Sequence, residues 1–437
     1  MNGAQWHGDR SLDPPAGSMS EQPVRLLISD DTRRRRLTVF FRLLLVIPHY
    51  LWLAIWGIAA IFAAIANWVA TLAAGRSPEG LHRFLALYVK YATHVYAYLL
   101  LAADPYPPFD GRAGYPVDVE IAPPARQARA AVLFRLLLFI PAALLAASLF
   151  GAPDFGYRRA GRFANYNFGV AHAAAILGWF ACLALRRMPR GLRDAVAWGL
   201  GFGAQLWAYL FLLTSRYPDP DPEVVLGELP ARSDPIAIEA GGELRRSRLT
   251  VFFRLLLALP HLVWLTLWAI ISLFAVIASW VATLARGRPP AALHRFLSAY
   301  LRYQTHVYAF IALVANPFPG FVGAPGSYPV DVTVAAPQRQ NRWTVGFRLL
   351  LAVPAWILAA AYSSLLWSCA LLGWFAALAT GSMPRRLGNT GAHALRYLTQ
   401  VNGYLLLLTA AYPYLGPCRI PGVGGAPAQA APESAFG

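Results

Sequence analysis

The sequence predicts an all-α polytopic membrane protein with short surface β-strands, built from four tandem repeats. Three observations carry this expectation. Only 14% of the 437 residues are charged and 57% are hydrophobic, with a mean hydropathy of +0.44, whereas a soluble domain has about 25% charged residues. Apolar runs such as Leu43 to Ala74 and Leu255 to Ala285 are longer than the about 20 residues a spanning helix needs. The string FRLLL occurs four times, with its arginine at Arg42, Arg135, Arg254 and Arg348.

Each of these arginines is followed by a proline, at Pro48, Pro141, Pro260 and Pro354. Then come NWVATL, GWFACL, SWVATL and GWFAAL, carrying Trp68, Trp179, Trp280 and Trp374. A Pro-x-x-Leu opens the next helix at Pro78, Pro189, Pro290 and Pro384, and each copy closes on an aromatic-Pro pair: Tyr106-Pro107, Tyr217-Pro218, Phe318-Pro319 and Tyr412-Pro413. Four landmarks in one order, four times, define a repeat architecture. The repeats run over 23–111, 112–222, 223–323 and 324–417, between expected disordered tails at 1–22 and 418–437. RLTVFFRLLL, LHRF and THVYA recur in copies one and three, and YPVDV opens copies two and four. A two-copy unit has been duplicated whole, which predicts two pseudo-symmetric halves.

Within a copy the first element is a short alternating segment: Val24 to Ile28, Tyr115 to Ile121, Ile236 to Ile238, Tyr328 to Val334. Period-two alternation reads as a strand, and four of them could pair into one small sheet at the membrane surface. A basic patch follows, such as Arg33 to Arg36. The apolar run comes next. From Val39 to Ala74 one helix would be about 54 Å long, too long for a single crossing of a hydrocarbon core of about 30 Å. Copy two carries a polar insertion from Gly151 to Asn167 inside its run, and lipid tolerates no exposed polar loop. The run is therefore expected to be a helical hairpin, turning near Gly57 in copy one.

The last helix of the copy is amphipathic. His82, Arg83, Lys90 and His94 fall in one stripe, repeated in copy three as His294, Arg295, Arg302 and His306. Such a stripe lies in the interface or lines a polar cavity. The first arrangement gives about eight crossings and the second about twelve; every copy starts basic, which favours eight.

The net charge of +17 resides in arginines that flank apolar runs. That is the positive-inside pattern, with no basic stripe on a soluble domain, so nucleic acid is not the expected partner. The expected location is the inner (plasma) membrane, multi-pass, with basic loops cytoplasmic and anionic lipids or a membrane protein as partners. Cys182, Cys369 and Cys418 form no CxxC or Cys/His cluster, so neither a disulfide framework nor a zinc site is expected, and no cofactor is.

The run of short strand, basic residues, Phe40-Phe41-Arg42-Leu43-Leu44-Leu45, Pro48-His49, Trp68, Gly75, Pro78 and Tyr106-Pro107-Pro108-Phe109 resembles the bacterial membrane family called domain of unknown function 4389. The resemblance covers nearly the whole chain from about Pro23 to Pro417. Copies two and four depart from it in having Ala142 and Ala355 after the proline, where copies one and three have His49 and His261. The resemblance implies the fold and no activity.

No GxSxG, HExxH, P-loop or GxGxxG occurs, and acidic residues are nearly absent from the apolar runs. The leading expectation is a non-enzymatic membrane protein that binds lipid or organises a membrane assembly. Arg42, Arg135, Arg254 and Arg348 are its candidate headgroup contacts, since a guanidinium suits a phosphate. A transporter or channel, with the His/Arg/Lys stripes lining a cavity between two halves, is one alternative. A haem or metal redox protein using His49 and His261 is the other.

Overall fold

The computed structural model describes residues 22–151 and 168–423. Most of the two expected tails and the insertion of copy two lie outside the described residues. The chain is mostly helical, and one element series recurs in every copy. Copy one has β1 (Val24–Ile28), α1 (Arg36–Leu45), α2 (Ile47–Ala74) and α3 (Glu79–Leu99). Copy two has β2 (Val117–Ile121), α4 (Arg129–Leu133), α5 (Arg135–Leu149), α6 (Val170–Leu185) and α7 (Arg190–Leu210), followed by α8 (Pro222–Leu226). Copy three has β3 (Ile236–Ala240), α9 (Arg248–Phe252), α10 (Arg254–Arg286) and α11 (Ala291–Ile311). Copy four has β4 (Val330–Val334), α12 (Arg342–Gly346), α13 (Arg348–Thr380) and α14 (Arg385–Leu405).

The apolar run is one continuous rod, so the hairpin expected near Gly57 does not form. A lone glycine in a run of Ala, Leu and Ile costs a helix only about 1 kcal/mol. Here it also admits a neighbour: a Cβ on Gly57 would stand 3.2 Å from the Tyr88 hydroxyl. The chain reverses instead after the rod. Gly75, Gly287 and Gly381 end the rods in the left-handed conformation, with φ of 72°, 72° and 73°, which glycine adopts without a Cβ clash. Pro78, Pro290 and Pro384 then open the next helix. Rod and following helix pack antiparallel. Arg42 meets Tyr98, Trp56 meets Phe84 with ring centroids 6.2 Å apart, and Asn67 meets Ser77 at 2.6 Å.

Copy two keeps the rod in two pieces. Gly169 lies directly against the Gly151 backbone, closer than any Cβ would allow, and His172 bonds the Phe150 carbonyl. The insertion thus leaves and re-enters at one point, and α5 and α6 together pack on α7 as the unbroken rods pack on their partners.

Copies interlock in pairs. β1 pairs antiparallel with β2 and β3 with β4, giving two separate two-stranded sheets rather than one of four strands. The indole of Trp68 donates to the Val132 carbonyl of copy two, and that of Trp179 to Val39 of copy one. Trp280 and Trp374 make the same exchange with Val345 and Val251. Each half is therefore a reciprocal pair with its own pseudo-twofold. The 21-residue helices α3 and α7, or α11 and α14, lie at its centre, with the sheet on one side and the rods on the other. The halves meet through copies two and four. Trp198 and His393 hold equivalent positions there and face each other at 6.3 Å, and Arg386 pairs with Asp219 at 2.6 Å.

Arg36–Ala74, Arg254–Arg286 and Arg348–Thr380 are each long and apolar enough to cross a membrane, while α5 and α6 are shorter. The C-terminal segment is ordered further than expected. Cys418, Ile420 and Val423 are buried, and the Pro421 carbonyl accepts from Ala240 at the end of β3. Because the ends of the insertion touch, deleting residues 152–168 and joining Gly151 to Gly169 should leave the fold intact. A monodisperse protein with unchanged helical circular dichroism is the expected result.

Candidate functional site

The four FRLLL arginines do not face outward. Their exposures are 2%, 1%, 1% and 3% for Arg42, Arg135, Arg254 and Arg348. Each turns onto the C-terminus of the 21-residue helix in its own copy. Arg42 donates to the carbonyls of Tyr98 at 2.6 Å and Ala103 at 3.0 Å, and to Asp104 at 2.7 Å. Arg254 donates to Phe310 at 2.5 Å and Ala315 at 3.1 Å, and Arg348 to Tyr404 at 3.1 Å and Thr409 at 2.9 Å. Arg135 donates to the Gln127 side chain, as Arg348 does to Gln340. All four guanidinium groups lie over an aromatic ring, 3.9 to 4.4 Å from its centroid. The partial negative charge of a helix C-terminus and its free carbonyls hold a cation well. The structure thus places the expected headgroup contacts inside the protein, with most of their terminal donors on internal partners and the Nε of each unpaired.

The same place explains a strained residue. Leu101, Leu212, Leu313 and Leu407 each end a 21-residue helix at φ of 59° to 65°, a conformation that costs an L-residue about 1–2 kcal/mol. The carbonyl of each strained leucine is held by a buried side chain: Arg34, Gln127, Arg246 and Gln340 respectively. All four stand eight residues before an FRLLL arginine. That spacing is a repeated signal that sequence reasoning missed, because the residue type alternates between Arg and Gln. The basic patch hides a second role. Arg36, Arg129, Arg248 and Arg342 each donate to the last turn of the partner copy's rod, at Ala184, Ala73, Ala379 and Ala285.

The polar stripe is dispersed among local partners rather than gathered along a cavity. His82 and His294 meet the carbonyls of Leu213 and Leu408 across the repeat boundary, both at 3.3 Å. His94 bonds Asp118 of the YPVDV segment at 2.9 Å. In copy three, Arg302 takes the equivalent Asp331 at 3.2 Å and leaves His306 at 3.5 Å. Lys90 is half-buried, and Arg83 and Arg295 are exposed. His49 and His261 are also committed to packing. Each bonds a tyrosine hydroxyl (Tyr91 at 2.7 Å, Tyr303 at 2.8 Å) and stacks on Phe109 or Phe321. Among the described residues no three His, Cys, Asp or Glu side chains come together as metal ligands.

Two outcomes follow. Arg254→Ala removes the guanidinium bonds to the Phe310 and Ala315 carbonyls and to Asn316, so a loss of about 3 kcal/mol is expected, read as a lower thermal midpoint in detergent. Loss of bound anionic lipid at unchanged stability would instead restore the headgroup reading. Burial alone pushes the Asp118 carboxyl up, but hydrogen bonds from His94 and from the Val119 and Gly114 amides outweigh it and hold the group below its ordinary value. Its stabilisation is therefore present above the unfolded carboxylate value, about 3.9, and lost as pH falls through the lower folded value. Asp118→Asn should remove that part of the acid dependence in pH-resolved melting.

The comparisons with known proteins agree with the repeat geometry. No curated protein and no solved structure matches the chain. One family matches three regions, residues 36–110, 248–322 and 342–415, which are copies one, three and four from their basic helix starts to their aromatic-Pro ends. Copy two, whose rod the insertion splits, is outside the match. Since the three regions make up just over half of the 437 residues, the chain belongs to the family described as Domain of unknown function (DUF4389).

Proposed function

We propose that this is a non-enzymatic integral membrane protein that rests in the cytoplasmic face of the plasma membrane, holds anionic lipid around its rod ends and organises a membrane assembly. The observation that carries the reading is the outer surface of the rods. Leu43, Phe62, Leu255, Phe274 and Leu350 are 67–71% exposed, and only a narrow stripe such as His49, Leu53, Ala60 and Asn67 faces the protein. A helix apolar nearly all round and covered on one side belongs in lipid.

The orientation departs from the multi-pass expectation. The uninterrupted 28-residue helix α2 of copy one is about 42 Å long, and charged groups stand beside its middle. Through the antiparallel register, exposed Arg83 lies at that height, as do the open sheet with Arg25 and Glu120 and the loop carrying Arg112. Open sheet edges and exposed charges are not tolerated at hydrocarbon depth. Rods immersed from one side, with the sheets in water, satisfy both constraints. Basic residues at both rod ends, such as Arg35 and Arg76, then meet the same anionic leaflet. Less supports the transport and redox alternatives, because His82, His94 and His294 bond groups of neighbouring copies and His49 and His261 each bond a tyrosine hydroxyl.

The test is cysteine labelling in oriented vesicles. Cysteines replacing Arg35 and Arg76 should react with an impermeant maleimide from the cytoplasmic side only, and one replacing Ile58 should be protected. Labelling of the first two from opposite sides would establish crossing rods, and release by carbonate alone would overturn the membrane reading.

A further inference from the structure

The two halves differ at one internal place that is closed in the first and open in the second. In the first half, buried Arg34 is neutralised by Asp30, whose two carboxylate oxygens take its guanidinium at 3.0 and 2.8 Å. Arg193 closes over this pair, reaching the Asp30 carbonyl at 3.3 Å. Counted from the FRLLL arginine and from Pro-x-x-Leu, the equivalent residues of the second half are Arg246, Gly242 and Gly388. The arginine is kept and both side chains that fill the place are gone. A cleft of about 160 Å³ stands there, lined by Arg246, Gly242, Leu244, Arg385, Gly388 and Asn389 among others.

Arg246 is 6% exposed. It donates to the backbone carbonyls of Glu243, Arg245 and Leu313, no carboxylate pairs with it among the described residues, and its buried Nε has no partner. Glu243 is itself exposed. The cleft also receives the N-terminus of the 21-residue helix α14. That end has no side-chain cap, no acidic residue in its first turn, and Arg385 as its first residue. A buried guanidinium with a free donor and an uncapped helix N-terminus converge on a space where the sister half places a carboxylate. Both groups favour an anion.

We propose that this cleft binds an oxyanion, a carboxylate or phosphate group, in the place that the Asp30 side chain takes in the first half. The site is independent of how the rods sit in the membrane. The anion comes from solution or from a lipid headgroup, and the experiment separates the two.

Binding of radiolabelled inorganic phosphate to the full chain is measured by equilibrium dialysis in a neutral detergent. Wild-type protein should bind it, and Arg246→Gln should weaken it by about tenfold or more by removing the charge. Gln127 and Gln340 already hold the equivalent leucine carbonyl in copies two and four, so this variant is expected to keep its thermal midpoint. Gly388→Asp should abolish binding by placing a carboxylate in the cleft. Displacement of phosphate by phosphatidylglycerol, but not phosphatidylcholine, identifies a headgroup site; displacement by neither identifies a soluble anion. The proposal is overturned if wild-type protein binds neither phosphate nor phosphatidylglycerol, or if both variants bind as wild type does.

Discussion

A buried guanidinium on a helix C-terminus is the constraint on which the rest of this structure depends. Arg42, Arg254 and Arg348 each supply a further donor to a carbonyl in the last turn of a 21-residue helix, and Arg135 lies over the Tyr209 ring at the equivalent end. The contact also fixes the distance between the start of a rod and the end of the helix that returns along it. Three of the four have neutral oxygen partners rather than a carboxylate; only Arg42 reaches an acidic side chain, Asp104. Helix dipole and ring face therefore do much of the compensation that a counter-ion would otherwise provide. The neighbouring residue eight positions earlier holds a leucine carbonyl in a conformation the leucine would not choose alone. Rod start, helix end and the turn beyond it are one hydrogen-bonded unit.

The second principle is exchange between copies. A single copy cannot satisfy its own ends. The last carbonyls of each rod take an arginine from the partner copy, each rod tryptophan donates into the partner's first helix, and each strand finds its edge on the partner's strand. The pair, rather than the repeat, is the smallest block that satisfies its own ends, which matches a chain duplicated as a two-copy block. Once paired, copies two and four also supply the junction between halves, and α13 is accordingly the most covered of the three long apolar segments.

Duplication also leaves room for divergence. The first half closes its Arg34 site with its own side chains, while the second keeps Arg246 and opens a cleft. One copy of an internal ion pair satisfies the fold, and the other is free to recruit its counter-ion from outside. The rods, for their part, place an apolar layer on one side of each half and the charged sheets on the other, and the proposed membrane role rests on that polarity.

Much of this was legible in the residues. The four landmarks placed the four copies, the two kinds of copy placed the halves, and the alternating segments located all four strands, because periodicity and repetition are local properties. The Pro-x-x-Leu starts and the amphipathic helices were found for the same reason. Three things were decided only by tertiary structure. Gly57 reads as a turn in isolation, yet Tyr88 packs on it and the rod runs through. The stripe from His82 to His94 reads as one polar surface, yet its two histidines are matched to a carbonyl and a carboxylate brought from another copy while Arg83 stays exposed. The FRLLL arginine beside an apolar run looks like a residue reaching for lipid phosphate. It turns inward because the helix end that needs it lies 56 residues further along the chain, a separation that no local pattern encodes.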